Sequence, residues 1–563
     1  MYTGPKLVEL LQQQHQNRTS QQGLLQQGIF TISWRAKVGS YPHPDLETII
    51  SAAEPVGNWQ YDNVNKLNVA DNWKKFPQLP LNGYIPASSL RGLVRSWAKR
   101  NNISQNRVRE LLGDQDEDTI YTGKIQFLDA YPLQPSPITL DIVNPQQSFQ
   151  VYHQGQSTPL SFYTLGDGKE PIQVKIAIRG IPNQTTSAEV KEVWGWLEQA
   201  ICLLGVGGRT ASGYGTVTKK EVKPDNLPDY KNKIINFEVY SQGSYGVDQG
   251  KKAEVKLRPS HWRGWLRSWL LRFLLGVMSK SDAETTLGEL LGSIGEDDSN
   301  QAQKGCVRLK LHEGRTWGEK SSNGGSYSFY TWKGKLEIIA PQDILTKIIL
   351  PVIKFAVSVG GVGRGWRRPL HIFSTDKFTA ARGCFLKMSH RVNDRPQLLA
   401  LHPNKPELWQ NTYQRWLDAV KSRWSNRVRI GVNNRLEAEI FSPTTCAIYS
   451  VLGPEREPVN FSDNRWSITD GVRTRGDAMN LIYQPTYKRK PEVGGNAGSG
   501  SASCSWVTIR RVKMQHPEYE ADFQETVCLF MGGKTPQDNH LRTRFLQDLN
   551  RRDGRIHLFG VRC

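Results

Sequence analysis

Two stretches of this chain, "IPASSLRGLVRSWAKR" and "RPSHWRGWLRSWLLRF", carry the same Arg-Gly-x-x-Arg-Ser-Trp pattern 172 positions apart. Arg263, Gly264, Arg267, Ser268 and Trp269 stand opposite Arg91, Gly92, Arg95, Ser96 and Trp97, and Ser260 stands opposite Ser88. Each stretch is followed downstream by an apolar helical run and then a glycine-rich segment, "LLGVGGRTASGYG" in the first copy and "SVGGVGRGWRR" in the second. Gly361, Gly363 and Arg364 fall opposite Gly205, Gly207 and Arg209. Matched elements in one order mean an internal duplication, so the fold must contain two versions of one unit.

The first copy opens on "GIFTISW", whose alternation reads as a strand. Ser88 or Ser89 is a natural N-cap for the helix that follows, because a hydroxyl can accept from the free N–H groups of the first turn. On that helix Leu90, Leu93, Val94 and Trp97 form one stripe and Arg91 and Arg95 another. A second helix, "SAEVKEVWGWLEQAICLL", runs into the glycine loop, and "YGTVTKKEV" returns as a strand. The second copy starts near Phe237 and is tighter. Phe30 to Gly92 spans 62 positions but Phe237 to Gly264 only 27, leaving about 35 extra residues in the first copy. That long segment, 35–82, holds His43, Asp45, Asp62 and Asp71, and loops of such length inside a domain tend to be functional.

The resulting organisation is a Gln-rich segment at 1–27, a first module at 28–228, a second, divergent module at 229–375, and a basic region at 376–563. The last region shows one amphipathic helix, "PELWQNTYQRWLDAVKSRW", a Gly/Ser linker near 494–505, and a closing basic helix with a short strand. It is an insertion or an appended domain, or it completes the second module if that module's last strand comes from the far end of the chain.

Lys and Arg outnumber Asp and Glu by 73 to 53, a net charge of +20. Such a balance points to a polyanion, with nucleic acid ahead of an anionic membrane surface. No apolar run approaches the ~20 residues that span a bilayer, and the N-terminus is too polar for a signal peptide. The seven cysteines are scattered with no Cys-x-x-Cys pair, which suits a reducing cytoplasm.

The glycine loops follow a helix and precede a strand. A dinucleotide turn needs the opposite order, and no Gly-x-x-x-x-Gly-Lys segment exists for a P-loop. What remains is contact with a nucleic-acid backbone: glycine N–H groups on phosphates, Arg209 or Arg364 as charged forks, and Tyr214 or Trp366 stacking on bases. The plainer alternative is a helix C-cap followed by a turn.

"IPASSLRGLVRSW" and "LLGVGGRTASGYGTV" resemble the two signatures of the RAMP superfamily, the ferredoxin-like proteins of CRISPR systems. The helix start resembles that of backbone subunits of type III effector complexes. A two-module chain with a large extra region is most similar to the fused or insertion-bearing subunits of type III-D-like complexes. The resemblance implies an α+β fold with two ferredoxin-like (βαββαβ, RRM-like) modules in tandem plus the basic C-terminal region. It implies that guide RNA phosphates are gripped by Ser88, Ser89, Arg91, Arg95 and the loop carrying Gly205, Gly207, Gly208, Arg209 and Tyr214. In the second module the matching positions are Ser260, Arg263, Arg267, Gly361, Gly363 and Arg364.

The resemblance further implies guide RNA (crRNA), target RNA and other effector subunits as partners, with no membrane. In catalytic backbone subunits an aspartate after the first strand supports metal-dependent cleavage of target RNA. Here Asp45, Asp62 or Asp71 would play that part, with Mg2+ or another divalent ion. The second module has only a short loop ending near Asp248 and is expected not to cut. Two other readings stay open: a guide-processing endoribonuclease using His43, His153 or His261, and a non-catalytic RNA-binding protein outside CRISPR.

Overall fold

The structure, a computed structural model, describes residues 4–18, 21–38, 40–43, 48–51, 83–116, 119–136, 138–143, 147–154, 160–168, 170–218, 229–241, 245–248, 252–255, 258–293, 305–312, 319–320, 330–363, 365–374, 379–460, 465–466, 472–496 and 503–563. The chain divides into two compact units. The first comprises Met1–Asn144, Thr158–Asp229 and Gly246–Glu254; the second comprises Pro145–Ser157, Tyr230–Tyr245 and Val255–Cys563.

In the first unit, β1 (Leu25–Ile32) leads through the long segment to helices α1 (Ala87–Arg100) and α2 (Gln105–Leu112). Strand β2 (Ile125–Phe127), β3 (Ile172–Gly180), α3 (Ser187–Leu204) and β4 (Val217–Thr218) follow. The sheet order is β4-β1-β3-β2, every neighbouring pair antiparallel. Leu90, Val94, Trp97 and Ala98 of α1 are buried, as their helical spacing requires. Helix α3 starts on a capping box in which Thr186 and Glu189 satisfy each other's backbone N–H groups. Trp97 and Trp196 meet where α1 packs on α3, with ring centroids 6.5 Å apart.

The duplicate appears in the second unit as β5 (Tyr230–Ser241), α4 (Pro259–Leu275), α5 (Lys280–Leu291), β6 (Arg308–His312), β7 (Tyr330–Pro341) and α6 (Leu350–Val359). Its fourth strand is β8 (Cys384–Val392), extended by β9 (Arg395–Leu398). The sheet order is β6-β7-β5-β8-β9. This differs from the sequence reading, which ended the second module at residue 375. His371–Ser374 instead pairs with Thr379–Arg382 in a separate hairpin. The alternation Cys384, Leu386, Met388 buries one face of β8 against the core, which gives it the place beside β5. The second copy's sheet therefore runs past residue 375 to Leu398.

The region the sequence left without a counterpart contains a third sheet. After α7 (Pro406–Arg423) come β10 (Cys446–Leu452), α8 (Asp477–Ile482), β11 (Val507–Lys513), β12 (Phe523–Phe530), α9 (Leu541–Asn550) and β13 (Ile556–Gly560). The order β11-β12-β10-β13 is antiparallel throughout. Numbered by position within each unit, all three sheets read strand 2, 3, 1, 4. The far-end strand thus completes this third sheet and does not join β5.

Second and third sheets share one hydrophobic core that extends from Val151 to Phe559. Adjacent residues of a strand point to opposite faces. Glu525 of β12 accepts from the Gly476 and Met479 N–H groups at the start of α8, whereas Phe530 meets Trp269 of α4 at 6.3 Å between centroids. Helix α6 packs on β11 and β12, and α7 packs on β13. The helices of the second copy therefore cover the face of the third sheet that α8 leaves open. Buried Glu439 sits in this core, accepts from Arg272 at 2.8 Å and His153 at 2.9 Å, and is ion-paired with Arg367 at 2.7 Å.

Candidate nucleic-acid interface

In the first unit the register sets Val217 and Ile172 both opposite Ile32. The glycine loop after α3 and the segment 33–38 after β1 therefore lie at the same end of the sheet. Helix α1 begins toward that end too, following the bridge between Ile85 and Ala130. The helix cap is Pro86, not Ser88 or Ser89, and the Ala87 N–H is taken by the Asp129 carboxylate at 2.8 Å. A carboxylate on the first turn satisfies the helix dipole internally. Ser88 and Arg91 are exposed on the first turns and Ser89 is half-buried.

Arg95 has a different duty. It pairs with Asp114 at 2.7 Å and donates to the Gly113 carbonyl, the C-cap of α2. The duplicate repeats this: Arg267 donates to the carbonyl of Gly292, the C-cap of α5, at 3.1 Å, and Arg263 to that of Leu291. Three of the four arginines that revealed the duplication, Arg95, Arg263 and Arg267, thus tie one helix to the end of the next. This accounts for their recurrence without any RNA. Ser260 is half-buried on the first turn of α4.

The glycine loop is a braced backbone knot. Val206 N–H donates to the Gly215 carbonyl at 2.9 Å, Gly208 N–H to Lys37 at 2.7 Å, and Gly215 N–H to Arg35 at 2.7 Å. Gly207 has φ +77°, and a Cβ there would collide with the Lys37 carbonyl oxygen. The glycines serve this close approach, and the N–H groups of Gly205, Gly208, Gly213 and Gly215 are all taken up by backbone carbonyls. Tyr214 is fully buried, its ring tilted 45° against Trp34 at 4.7 Å between centroids and its hydroxyl donating to Asp141, and burial pushes that hydroxyl's pKa up. Its ring is closed to a base, which corrects the stacking role expected of it.

What the loop presents outward is Gly207 and Gly208, both exposed, beside half-buried Arg209 and Lys37. Arg209 holds a left-handed conformation, φ 54°, which is costly for a residue with a Cβ and clusters at functional sites. Burial, together with the adjacent Arg209 charge, lowers the Lys37 ammonium to about 8. Two cations crowded beside two exposed glycines make a seat for an anion. Lys37 escaped the sequence reading because it falls just beyond the first strand. Its signal was the continued run Trp34, Ala36, Val38 of buried positions with polar residues between.

In the second copy Gly361 is buried, its N–H donating to the Trp366 carbonyl at 2.9 Å; a Cβ would stand 2.6 Å from Cys384 Sγ. Gly363 is half-buried, and Arg364 lies outside the described residues. Trp366 packs into the core against Trp269, with Arg367 over its ring at 4.4 Å, and so is no base platform.

Asp45, Asp62 and Asp71 also lie outside the described residues, and among those described no three His, Cys, Asp or Glu side chains form a metal-holding group. Among the histidines, His153 is engaged with Glu439 and stacked on Trp506, burial pushes His261 down to about 3, and His43 ends the short strand Ser40–His43. No described helix is long and apolar enough to cross a membrane.

Residues 80–218 match the RAMP superfamily. The matched stretch holds α1, α2, β2, β3, α3, the whole glycine loop and β4, and leaves out β1. The chain is also similar to the crystal structure of Cmr6 from Pyrococcus furiosus, at 17% identity and a TM-score of 0.21, covering 35% of this chain and 97% of that one. A chain of a Type IV-B CRISPR complex matches at 12% identity and a TM-score of 0.20, covering 36% and 97%. No curated protein matches the chain.

Proposed function

We propose that this chain is an RNA-binding subunit of an RNA-guided CRISPR effector complex, of the type III kind, built from βαββαβ modules of ferredoxin-like order. The observation that carries the reading is the RAMP match over 80–218 coinciding with the outward face of the glycine loop, where Lys37 and Arg209 flank Gly207 and Gly208. The sheet order β4-β1-β3-β2 supports the ferredoxin-like reading, and its repetition in the second and third sheets supports a tandem array. Guide RNA is the strand seated at this loop and near Arg91, with target RNA and other effector subunits as further partners. Within the same proposal, cleavage of a target strand falls to Asp45, Asp62 or Asp71 with a divalent ion. A complex whose Asp45→Ala and Asp62→Ala variants cut at every wild-type position removes the first two of these.

The test is binding of single-stranded guide RNA by the full chain across a salt series. Each lost phosphate contact lowers the slope of log affinity against log salt by roughly 0.7 on a single strand. Arg91→Ala combined with Arg209→Asn, which keeps the left-handed backbone accessible, lowers the slope by about 1.4. An unchanged slope takes the first module's loop out of the RNA interface.

A further inference from the structure

Where the glycine loop of the second copy leaves toward β8, its chain runs along the edge strand of the third sheet. Ile509 N–H donates to the Arg367 carbonyl at 2.9 Å, and Arg368 donates to the Val507 carbonyl at 2.6 Å. Between these segments lies a crevice lined by Gly360, Leu370, Phe385, Leu386, Arg510 and Arg511, among others, with room for one water-sized group, about 10 Å³.

Arg510 is the unusual member. Its Nη2 donates to the Leu386 carbonyl at 3.3 Å, while its buried Nη1 has no hydrogen-bond partner among the described residues. Burial alone lowers its guanidinium to about 10, and no carboxylate acts on it. Among the described residues the one acidic side chain lining the crevice, Glu457, is already paired with Arg511 at 2.9 Å. Arg511 in turn keeps a buried Nε without a partner among the described residues. A buried guanidinium with a vacant donor and no counter-charge is unfavourable, and an anionic oxygen in the crevice would relieve both deficits.

We propose that this crevice binds a single anionic oxygen of a phosphate group, and that in the working protein the phosphate belongs to an RNA strand passing the second glycine loop. The identity of the phosphate rests on the RNA-binding reading above; the anion site itself does not. The site joins two modules. The glycine loop supplies the wall and the third sheet supplies the cation. A donor set of fixed N–H groups around a space for one oxygen fits phosphate or sulfate, and a bulky apolar group does not enter it.

The experiment uses the full chain with Arg510→Met, which keeps the unbranched apolar stem, and Arg510→Lys, which keeps a charge. Melting is followed with inorganic phosphate added at constant ionic strength, chloride being the balancing salt. Wild type gains stability with phosphate, Arg510→Met gains none, and Arg510→Lys retains part of the gain. Equal protection of wild type and Arg510→Met overturns the site, as does an absence of protection in wild type.

Guide RNA binding is then measured over a salt series, where Arg510→Met loses several-fold in affinity and about 0.7 in slope. Phosphate protection lost in Arg510→Met with an unchanged RNA slope overturns the RNA source and leaves a free-anion site. If wild type binds no RNA at all, the functional reading fails while the phosphate arm still decides the site.

Discussion

Lys37 offers the sharpest test of the glycine-loop seat, because its charge is adjustable within an accessible pH range. Burial and the Arg209 guanidinium lower its ammonium from the ordinary 10.5 to about 8. A bound phosphate would oppose both effects and draw the value back toward 10.5. Binding an anion favours the charged amine, so affinity is fully present below pH 8 and falls above it. The free ammonium is about nine-tenths charged at pH 7 and about one-tenth at pH 9, so guide RNA affinity should drop about tenfold between them, about 1.4 kcal/mol. Fluorescence anisotropy with labelled RNA, at constant ionic strength, measures this directly. Lys37→Arg holds its charge throughout and should give a flat profile. Buried Glu525, raised to about 7, titrates near the lower limit of the range but lies in the second unit and is common to both proteins. A tenfold drop that persists in Lys37→Arg, or an affinity that rises with pH, refutes the placement of RNA at this loop.

Further outcomes follow from the same geometry. Arg95→Ala should lower the stability of the first unit by about 1–2 kcal/mol, read by denaturant titration, since it removes the closer of two cations from Asp114 and a donor from the Gly113 carbonyl; Arg91→Ala should leave stability unchanged and reduce the salt slope of RNA binding. Gly207→Ala should cost about 1–3 kcal/mol, because an alanine must hold φ +77° and press on the Lys37 carbonyl; a melt indistinguishable from wild type contradicts the braced loop. Truncation after residue 442 should leave the second unit unable to fold, seen as loss of soluble protein or of protease resistance, because α6 and α7 would expose the surfaces that β11, β12 and β13 cover.

The two copies were legible because their signals are local. Helix α3 runs over the residues its pattern marks, Ser187–Leu204, and the Arg-Gly-x-x-Arg-Ser-Trp repeat marks two equivalent helices. What the repeat could not reveal is why it recurs. A motif of exposed-looking arginines in a chain of +20 suggests phosphate contacts, yet Arg95, Arg263 and Arg267 spend their donors on carbonyls at the ends of α2 and α5. Those acceptors lie 18 to 28 residues downstream of their donors, beyond the reach of periodicity. Tyr214 misled in the same way: its neighbours Trp34 and Asp141 arrive from distant strands and close over it.

The third sheet was hidden for a physical reason of its own. A half-exposed antiparallel strand shows alternating apolar and polar residues, but a strand covered on both faces does not. Every residue of β10 except Leu452 is buried, and β12 is buried from Gln524 to Phe530, polar residues included. Its first crossover helix, α8, is only six residues long, too short for a helical stripe, and Glu525 supplies its N-terminal partner from another strand. The same double burial that erased the pattern argues against a tethered accessory domain. A tethered domain keeps a core of its own, whereas here Phe530 and Phe559 reach Trp269, Phe355 and Tyr413 across the helix layer. With sheet, helices and sheet sharing that layer, the second glycine loop is fixed relative to Arg510, and the crevice between them has walls that belong to one rigid core.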